Sequence, residues 1–448
     1  MDERLVLAER SVPRYTSYPT APHFQPAVDA DTYAAWLSEL PATATLSLYL
    51  HVPYCAELCF YCGCHTKAVR KRDPLDRYAD LVAAEIKMIS AAIAGRRVVH
   101  VHWGGGTPSI LGEARLGNLT ELLRDRFDLS EIREHAIELD PRRLTQTLVR
   151  TLRWIGINRA SLGVQDLAPH VQAAIGRVQP LAQVEAAVAL LRDAGIDRLN
   201  IDLMYGLPCQ TVADVENSAE RAAALRPHRL ALFGYAHVPW LKPHQRLIDA
   251  CKLPSAAERL DQARVAATVL VARGYVPIGL DHFALPDDDL AEAQRHAKLH
   301  RNFQGYTTDA ADALIGLGAS AIGRVPQGFV QNHAEIGRYG CAIEECRLAT
   351  AKGVALSPED RLRGHIIERL MCDLTVDLDA VSRQCEGLSG VEFAPELAAL
   401  HGLAARGLVE INDRVVRVRN SGRPFVRLVA AVFDTYLTGD QGRHSIAV

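Results

Sequence analysis

The stretch LSLYLHVPYCAELCFYCGC occupies residues 46–64 of the chain. Its first seven residues form a short apolar run of the kind that a buried β-strand requires. The rest reads as a loop that carries four of the chain's ten cysteines, Cys55, Cys59, Cys62 and Cys64. In parallel α/β proteins, functional groups gather where strands end and loops begin. We therefore expect the chemistry of this chain at the carboxyl end of its first strand.

The same pattern, a short apolar run followed by an amphipathic helical segment such as 78–93 or 184–194, recurs along the chain. Alternation of this kind indicates right-handed βαβ units around a parallel sheet. So many units favour a closed or partly open (β/α) barrel over a two-sided open sheet, although the pattern alone does not decide between them. The predicted strands are residues 46–52, 98–103, 135–139, 159–164, 199–204 and 230–236, with a seventh candidate at 276–280.

The pattern changes past about residue 340. Ser357 followed by Pro358 and two acidic residues is typical of a helix start, and residues 408–418, around Asn412-Asp413, predict a hairpin. Helices with one hairpin indicate a small winged-helix-like domain. We therefore predict three parts: an N-terminal extension (1–35), an α/β barrel (36–340) and a mainly helical C-terminal domain (341–448).

The overall charge is close to neutral. The 448 residues include 50 Lys and Arg against 53 Asp and Glu, a net charge of −3, and 48% of them are hydrophobic. This composition indicates an ordered globular protein and predicts no nucleic-acid or anionic-membrane partner. The first residues show no export signal, and no apolar stretch approaches the ~18 residues of a membrane span. We therefore expect a cytoplasmic protein.

The four clustered cysteines indicate metal or redox chemistry, because a chain without an export signal has little use for a disulfide framework. Soft thiolate ligands suit an iron–sulfur cluster or zinc. A structural zinc site usually takes ligands from two separate turns, and here all candidates share one loop, which favours iron–sulfur. Three cysteines, spaced by three and then two residues, would leave one iron of a four-iron cube free for another ligand.

The spacing of Cys55, Cys59 and Cys62 resembles the signature of the radical S-adenosylmethionine (SAM) enzymes. The resemblance implies a partial TIM-type (β/α)6 barrel and a [4Fe–4S] cluster that cleaves SAM to a 5′-deoxyadenosyl radical. Within that superfamily, the chain resembles the oxygen-independent coproporphyrinogen III oxidases of haem biosynthesis over residues 13–436. This narrower resemblance rests on residues 13–20 (PRYTSYPT), on Cys64 as a non-ligand and on residues 301–308 (RNFQGYTT). A haem-binding chaperone on the same scaffold is the alternative, and a zinc-stabilised barrel enzyme is a second one.

Several candidate residues end the predicted strands. The glycines before Thr107 suit close approach to a ligand, although a tight βα turn would also use them. Asp202 interrupts an apolar strand, where a carboxylate is costly unless it faces a partner or a site. The resemblance implies one SAM pocket lined by Tyr61, Gly106, Thr107, Gln165, Arg177, Asp202 and Ala236, and further SAM contacts at Tyr49, Gly105, Glu138 and Ile322. Ala236 and Ile322 would otherwise read as core residues.

The resemblance also implies the reaction and its participants. Two propionate side chains of coproporphyrinogen III would be decarboxylated oxidatively to vinyl groups, giving protoporphyrinogen IX with two SAM consumed. Glu138, Phe303 and Gln304 would be the catalytic residues, and the N-terminal extension would lie over the active site. A flavodoxin- or ferredoxin-type donor would reduce the cluster, an electron acceptor would complete the oxidation, and the protein would act as a monomer.

Overall fold

A parallel sheet forms the centre of the molecule, whose computed structural model describes residues 3–384 and 391–437. Its strands lie in the order β7-β1-β2-β3-β4-β5-β6, and each neighbouring pair is parallel. The strands are β1 (Leu46–Val52), β2 (Val98–Gly105), β3 (Glu134–Leu139), β4 (Arg159–Gln165), β5 (Arg198–Tyr205), β6 (Arg229–Gly234) and β7 (Ala313–Leu317). The first six confirm the predicted strands and the α/β barrel class.

Antiparallel strands extend both edges of this sheet to twelve strands. Ile322–Val325, Gly328–Asn332 and Thr350–Ala355 follow β7, whereas His282–Ala284 and then Val276–Ile278 follow β6. The seventh candidate, residues 276–280, is therefore an antiparallel edge strand. The seventh parallel strand is β7, which the sequence pattern did not predict. Among the described residues the two outer strands do not pair, so the barrel is partial.

Helices cover the outer face of the sheet and connect its strands. The connecting helices are Asp73–Ile93, Glu113–Arg126, Gln146–Trp154, Pro169–Ala174, Leu181–Asp193 and Val212–Ala224, and Ala256–Ala272, Asp289–Arg295 and Ile336–Glu344 follow later in the chain. Their apolar faces pack on buried strand residues in one continuous core, and Trp103 on β2 is fully buried there. Because the strands are covered on both faces, they read as nearly continuous apolar runs.

The C-terminal part combines helices with a three-stranded sheet. Ser357 caps the helix Pro358–Asp373 in a reciprocal pair of hydrogen bonds with Asp360, which confirms the predicted helix start. The predicted hairpin is also confirmed. The remaining elements are the strands Thr375–Asp377, Val409–Asn412 and Val415–Val418 and the helices Leu378–Gln384, Ala394–Ala405 and Val426–Ala431.

The main sheet extends further along the chain than the proposed boundary. Residue 340 lies inside the helix Ile336–Glu344, and Thr350–Ala355 still pairs with Gly328–Asn332 in the main sheet. We propose that the C-terminal domain begins after Ala355, where the sheet ends.

The N-terminal segment packs against the C-terminal domain rather than standing free. It contains the helices Glu3–Ala8 and Ala30–Ser38. The Tyr15 hydroxyl donates to Asp434 at 3.0 Å, and the hydroxyls of Tyr18 and Thr435 share a hydrogen bond, also at 3.0 Å. Both tyrosines are buried in the apolar core of the C-terminal domain. The first and last described parts of the chain therefore meet on the same side of the barrel.

Candidate functional site

The cysteine loop leaves β1 at the carboxyl edge of the sheet, as predicted. A short parallel pairing of Tyr54–Cys55 with Lys67–Ala68 closes its base. Cys59 is buried, Cys55 and Cys62 are half-buried, and none of these cysteines forms a disulfide. The loop is held by groups that follow β6: Gln245 donates to the Tyr61 carbonyl at 2.9 Å, and His244 Nε2 lies 2.7 Å from the Cys62 carbonyl.

Hydrogen-bond donors surround the cysteine sulfurs. The hydroxyls of Thr66 and Thr107 donate to Cys55 Sγ at 3.4 and 3.5 Å, and Arg177 Nη1 donates to Cys59 Sγ at 3.5 Å. A hydrogen bond from Cys64 lowers the pKa of Cys62 to about 7, despite the opposing effect of burial.

Among the described residues, no three His, Cys, Asp or Glu side chains are grouped closely enough to hold one metal ion. Three free thiols with donors aimed at two of their sulfurs fit an iron–sulfur cluster, whose thiolates and sulfides accept such bonds.

The glycine turn after β2 is shaped by close contacts. A Cβ on Gly104 would lie 2.9 Å from Glu138 Oε1, and one on Gly106 would lie 2.4 Å from the Tyr54 carbonyl oxygen. Gly105 has a φ of +110°, and a Cβ there would lie 2.6 Å from the His51 ring. The turn therefore has to be glycine, because any side chain would displace the cysteine loop or the carboxylate.

Gly106→Ala is expected to disturb the cysteine loop directly. The added methyl group would overlap the Tyr54 carbonyl, next to Cys55, and overpacking of this kind costs roughly 1–3 kcal/mol. We expect a reduced iron content after anaerobic reconstitution and a lower melting temperature. Gly63→Ala is the matched control on the same loop, because nothing lies within 4 Å of its added Cβ. Equal iron content in the two variants would contradict the close contact.

Arg177 links the cysteine loop to the ends of β3 and β4. Its Nη2 donates to the Gly163 carbonyl at 2.6 Å and lies 3.4 Å from Asp140 Oδ1, while Nη1 contacts Cys59. Burial lowers the pKa of Arg177, but Tyr61, Asp140 and Cys59 raise it more, so the guanidinium stays charged. Its Nε is buried without a hydrogen-bond partner among the described residues. A buried, charged donor with an open N–H fits the carboxylate of a ligand.

Gln165 ends β4 in an unusual backbone conformation. Its φ is +69°, and the pairing of β4 with β5 shifts register between Gly163 and Gln165. Such irregularities re-aim a side chain at the end of a strand, and strained residues of this kind cluster at functional sites. The side-chain nitrogen of Gln165 would lie 3.0 Å from a Cβ on Gly163, so Gln165 stands close to Arg177.

Glu138 and Asp202 are two of the four carboxylates, among the described residues, that line a polar chamber of about 170 Å³ inside the barrel. Glu138 accepts from the Gly105 N–H at 3.0 Å and lies 3.3 Å from His102 Nε2. Burial raises the pKa of Glu138, but the His102 and Gly105 contacts outweigh it, so its pKa is below the usual value. Asp202 accepts from Ser161 at 3.0 Å and Asn200 at 2.8 Å, and burial and the Glu138 charge raise its pKa to about 6.

The remaining cofactor candidates fall into two places. The Tyr49 hydroxyl lies 2.9 Å from His51 Nδ1, and Tyr49 pairs with Gly316, against which the Ile322 backbone packs. The Ala236 carbonyl accepts from Gln245 Nε2 at 3.3 Å, the same nitrogen that holds the Tyr61 carbonyl. Every predicted site residue is therefore near the carboxyl end of the sheet or the chamber behind it.

The predicted catalytic pair Phe303 and Gln304 forms the tip of a tight hairpin. The strands His300–Asn302 and Gly305–Thr307 flank it, and the Gln304 N–H donates to Asn302 Oδ1 at 2.9 Å. Gln304 lines both the polar chamber and a larger neighbouring cavity of about 940 Å³, and Phe303 lines the larger cavity. The hairpin thus separates the two spaces.

Sequence reasoning missed several polar groups of the site. Asn200 binds Asp202, and its Oδ1 is buried without a partner among the described residues. A signal for it existed, since residues two apart on a strand share a face. Ser161 and His102 line the same chamber. They lie on other strands than Asp202, so their spacing in the sequence gives no such signal. Gln245, which holds the loop carbonyls, lies in a segment with no recognisable motif.

Two protein-family models match the chain. The Radical SAM superfamily model matches residues 49–222, which include the cysteine loop, the glycine turn and β1 to β5. The HemN C-terminal domain model matches residues 356–425. With the three-cysteine loop at the mouth of a partial barrel, these matches define the chain as a radical SAM enzyme. This class of enzyme uses a [4Fe–4S] cluster and SAM.

Full-length relatives narrow the class to a family. The oxygen-independent coproporphyrinogen III oxidase of Bradyrhizobium diazoefficiens is 49% identical and covers 98% of each chain. That of Paracoccus denitrificans is 42% identical, covering 100% of this chain and 98% of its own. The structure of coproporphyrinogen III oxidase (HemN) from Escherichia coli, a radical SAM enzyme, superposes with a TM-score of 0.90 at 38% identity, over 96% of this chain and all of its own. The chain belongs to the oxygen-independent coproporphyrinogen III oxidases.

In the part of the chain that the structure describes, no helix is both long and apolar enough to cross a bilayer.

Proposed function

We propose that this chain converts coproporphyrinogen III to protoporphyrinogen IX without oxygen, by oxidative decarboxylation of two propionate side chains to vinyl groups. When bound, the cluster and SAM would supply the radical chemistry by which a hydrogen atom is removed from the β-carbon of a propionate. The propionate then loses CO2 and passes one electron to an acceptor, which leaves the vinyl group. Two such conversions consume two SAM.

The cluster and the first SAM would be held by the residues at the carboxyl edge of the sheet. Cys55, Cys59 and Cys62 would ligate three irons. Arg177 would bind the SAM carboxylate through its open Nε–H, because a charged N–H donor forms a strong hydrogen bond with a carboxylate. Asp202 would accept from ribose hydroxyls in the polar chamber. The other contacts in this proposal are Tyr61, Gly106, Thr107, Gln165 and Ala236, and Tyr49, Gly105, Glu138 and Ile322 would form a further SAM contact set.

Glu138, Phe303 and Gln304 would act closest to the reacting atoms. Glu138, kept ionised by its two hydrogen bonds, can accept a bond from a ligand ammonium group or hydroxyl. Phe303 would exclude water from the radical, and Gln304 can orient a polar group with its two donors and one acceptor. The single observation that carries this proposal is the position of Gln304, which borders both the polar chamber and the large cavity.

The participants outside the chain follow from the same proposal. A reduced flavodoxin or ferredoxin would donate the electron to the cluster, and a separate acceptor would take the electron released by the substrate. We propose that the protein works in the cytoplasm as a monomer, without nucleic acid or membrane as partners.

The deciding experiment is anaerobic reconstitution of the full chain, followed by incubation with SAM, reductant, coproporphyrinogen III and an electron acceptor. We expect 5′-deoxyadenosine, methionine and protoporphyrinogen IX, measured by chromatography after oxidation of the porphyrins. Absence of vinyl product with tight haem binding would favour the chaperone instead. Zinc in place of iron in anaerobically purified protein would favour the zinc-stabilised enzyme.

Asp202→Asn is expected to weaken SAM binding and yet stabilise the protein without SAM. The pKa of Asp202 is raised to about 6, above the ~3.9 of an unfolded chain, so its ionisation destabilises the fold as pH rises from about 4 to 6. Removing that charge should raise the free energy of unfolding by about 1–2 kcal/mol at pH 7.5. The effect is no larger because the side chain faces an accessible chamber. Near pH 4 the substitution should add nothing.

The two effects of Asp202→Asn have opposite signs, so they can be read separately. Equilibrium dialysis should show at least tenfold weaker SAM binding with unchanged iron content, and thermal unfolding should show the added stability. Asp197→Asn, at an exposed position before β5, is the matched control. Unchanged SAM affinity in Asp202→Asn would return this carboxylate to a structural role.

A further inference from the structure

A buried carboxylate lies outside the polar chamber and has no part in the proposed reaction. Glu85, on the helix Asp73–Ile93, is only 1% exposed, and its helix neighbours Val82, Ile86 and Ile89 belong to the apolar core. No arginine, lysine or histidine among the described residues forms an ion pair with it. Burial raises the pKa of Glu85 to about 7, although hydrogen bonds oppose the shift. A carboxylate in such a place is costly unless donors satisfy it.

Three donors from three different parts of the chain meet at this carboxylate. Glu85 Oε2 accepts from the Gly318 N–H at 2.6 Å and from the Tyr339 hydroxyl at 2.8 Å, and Oε1 accepts from Asn332 Nδ2 at 2.6 Å. These donors lie after β7, on the following helix and at the end of an edge strand. Asn332 Nδ2 also donates to the Gly318 carbonyl at 3.0 Å. Glu85 therefore holds Gly318 directly through its N–H and indirectly through its carbonyl.

Gly318 lies against the end of β1. Its φ is +96°, and a Cβ there would lie 2.5 Å from the His51 carbonyl oxygen and 2.5 Å from the Tyr78 hydroxyl. That hydroxyl donates to the His51 carbonyl at 2.7 Å and accepts from the Ala319 N–H at 2.9 Å. Tyr78 and Glu85 lie seven residues apart on one helix and so share a face. One face of this helix therefore fixes both the turn after β7 and the end of β1.

His51 carries this restraint to the cysteine loop. Its backbone leads to Cys55 in four residues, and its ring Nε2 lies 3.1 Å from the carbonyl of His65 at the far end of the loop. The ring of Tyr54, next to Cys55, packs edge-on against the ring of Tyr78, with 5.4 Å between their centres. A displacement of the turn after β7 would therefore move both ends of the cysteine loop.

The same turn leads to one of the proposed SAM contacts. The Ala321 N–H donates to the Gly318 carbonyl at 3.2 Å, and the Asn332 N–H donates to the Ala321 carbonyl at 2.9 Å. Ile322 follows directly in the chain. Asn332, which donates to Glu85 through its side chain, thus holds the residue before Ile322 through its backbone.

We propose that Glu85 is a positioning residue that keeps the cysteine loop and Ile322 in fixed relative positions by holding the turn at Gly318 between them. The inference rests on the proposed function, which assigns the loop cysteines to the cluster and Ile322 to SAM. Glu85 contacts neither, so it acts through Gly318 and Asn332, as outer hydrogen bonds orient the ligands of many metal sites. An apolar side chain in its place would fit the core but leave three donors without an acceptor.

The first test is Glu85→Gln, which keeps the size of the side chain and replaces one acceptor oxygen by an N–H donor. Whichever way the amide turns, at least one of the three donors then meets a donor. After anaerobic reconstitution we expect nearly normal iron content, SAM binding weakened at least fivefold in equilibrium dialysis, and an altered effect of SAM on the electron paramagnetic resonance spectrum of the reduced cluster. Glu85→Leu should weaken SAM binding at least tenfold.

Two controls separate positioning from general stability. Glu185→Gln makes the same chemical change at an exposed position on the helix Leu181–Asp193 and should match the wild type. Val188→Ala, buried on that helix, should lower the melting temperature and leave the spectrum and SAM affinity unchanged. Tyr78→Phe removes the bond to the His51 carbonyl without touching Glu85, and we expect it to alter the spectrum as Glu85→Gln does.

The outcomes separate this inference from the proposed function, because cluster spectra and SAM affinity are measured without a porphyrinogen. A lower melting temperature with wild-type spectrum and SAM affinity in Glu85→Gln would reduce Glu85 to a packing role, even if the wild type forms vinyl product. Altered spectra and affinity, in a protein whose wild type forms no vinyl product, would support the positioning role and refute the proposed reaction. If Glu85→Leu does not fold, Glu85→Gln and Tyr78→Phe decide the result.

Discussion

Serine in place of Cys55, Cys59 or Cys62 is expected to abolish the iron–sulfur cluster, whereas Cys64→Ser is expected to keep it. Each of the first three substitutions would remove one of the three proposed protein ligands. A hydroxyl is a much harder ligand for iron than a thiolate. Product formation should fall at least a thousandfold, because no radical forms without the cluster. Iron and sulfide analysis, visible absorbance and electron paramagnetic resonance of the reduced protein measure the cluster directly.

Cys64→Ser is a stringent control because Cys64 lies on the same loop, two residues from Cys62. Cys64 lines the large cavity, and its side chain hydrogen-bonds to that of Cys62. A serine hydroxyl can keep that hydrogen bond, so the three-cysteine loop should be undisturbed. Equal loss of iron from Cys64→Ser would mean a fourth protein ligand and no open iron for SAM.

The parallel strands were predictable because their physics is simple. Strands such as β1 (LSLYLHV) are buried along most of their length, so they appear in sequence as short, mostly apolar runs, and the helices between them show a clear 3.6-residue period. The cysteine loop was predictable for a different reason, since its ligand spacing is local. Neither signal depends on knowing how distant parts of the chain meet.

Strand β7 could not be predicted in the same way. Gly316 in the strand and Gly318 just after it look like turn signals, yet a Cβ on Gly316 would lie 2.8 Å from the Ile322 backbone. The glycine is there to let the neighbouring antiparallel strand approach, a contact that only the sheet order reveals. The edge strand Val276–Ile278 lies within a predicted strand, but its antiparallel pairing was not foreseen. The strand His282–Ala284 was missed, because a three-residue strand is too short to show a period.

The meeting of the two ends of the chain was also beyond sequence reasoning. Arg14 lies in the N-terminal segment, Arg301 at the start of the hairpin and Arg423 in the C-terminal domain, and each alone is a solvated arginine by default. Packing of both ends of the chain on one side of the barrel brings them together. This proximity is therefore a property of the tertiary structure, which no local stretch of the sequence reveals.

Gln304→Ala is expected to keep the cluster and SAM binding but to lose most vinyl formation, at least a hundredfold. The side chain borders the polar chamber of Glu138 and Asp202 on one side and the substrate-sized cavity on the other. A methyl group in its place cannot orient a polar group, and misplacement by about 1 Å can cost a hundredfold in rate. Iron content, SAM affinity and protoporphyrinogen yield are measured on the same preparation.

Two comparisons make the Gln304 result specific. Gln183→Ala, on the exposed face of the helix Leu181–Asp193, removes the same amide from a surface position and should leave the yield unchanged. Phe303→Leu keeps an apolar wall and should retain more product than Phe303→Ala, which opens the radical to water and should release more 5′-deoxyadenosine per vinyl group formed. A normal yield from Gln304→Ala would mean that the hairpin tip takes no part in the reaction. A structural role would not explain the expected loss, because the only described hydrogen bond of Gln304 runs from its backbone N–H to Asn302 and would survive the substitution.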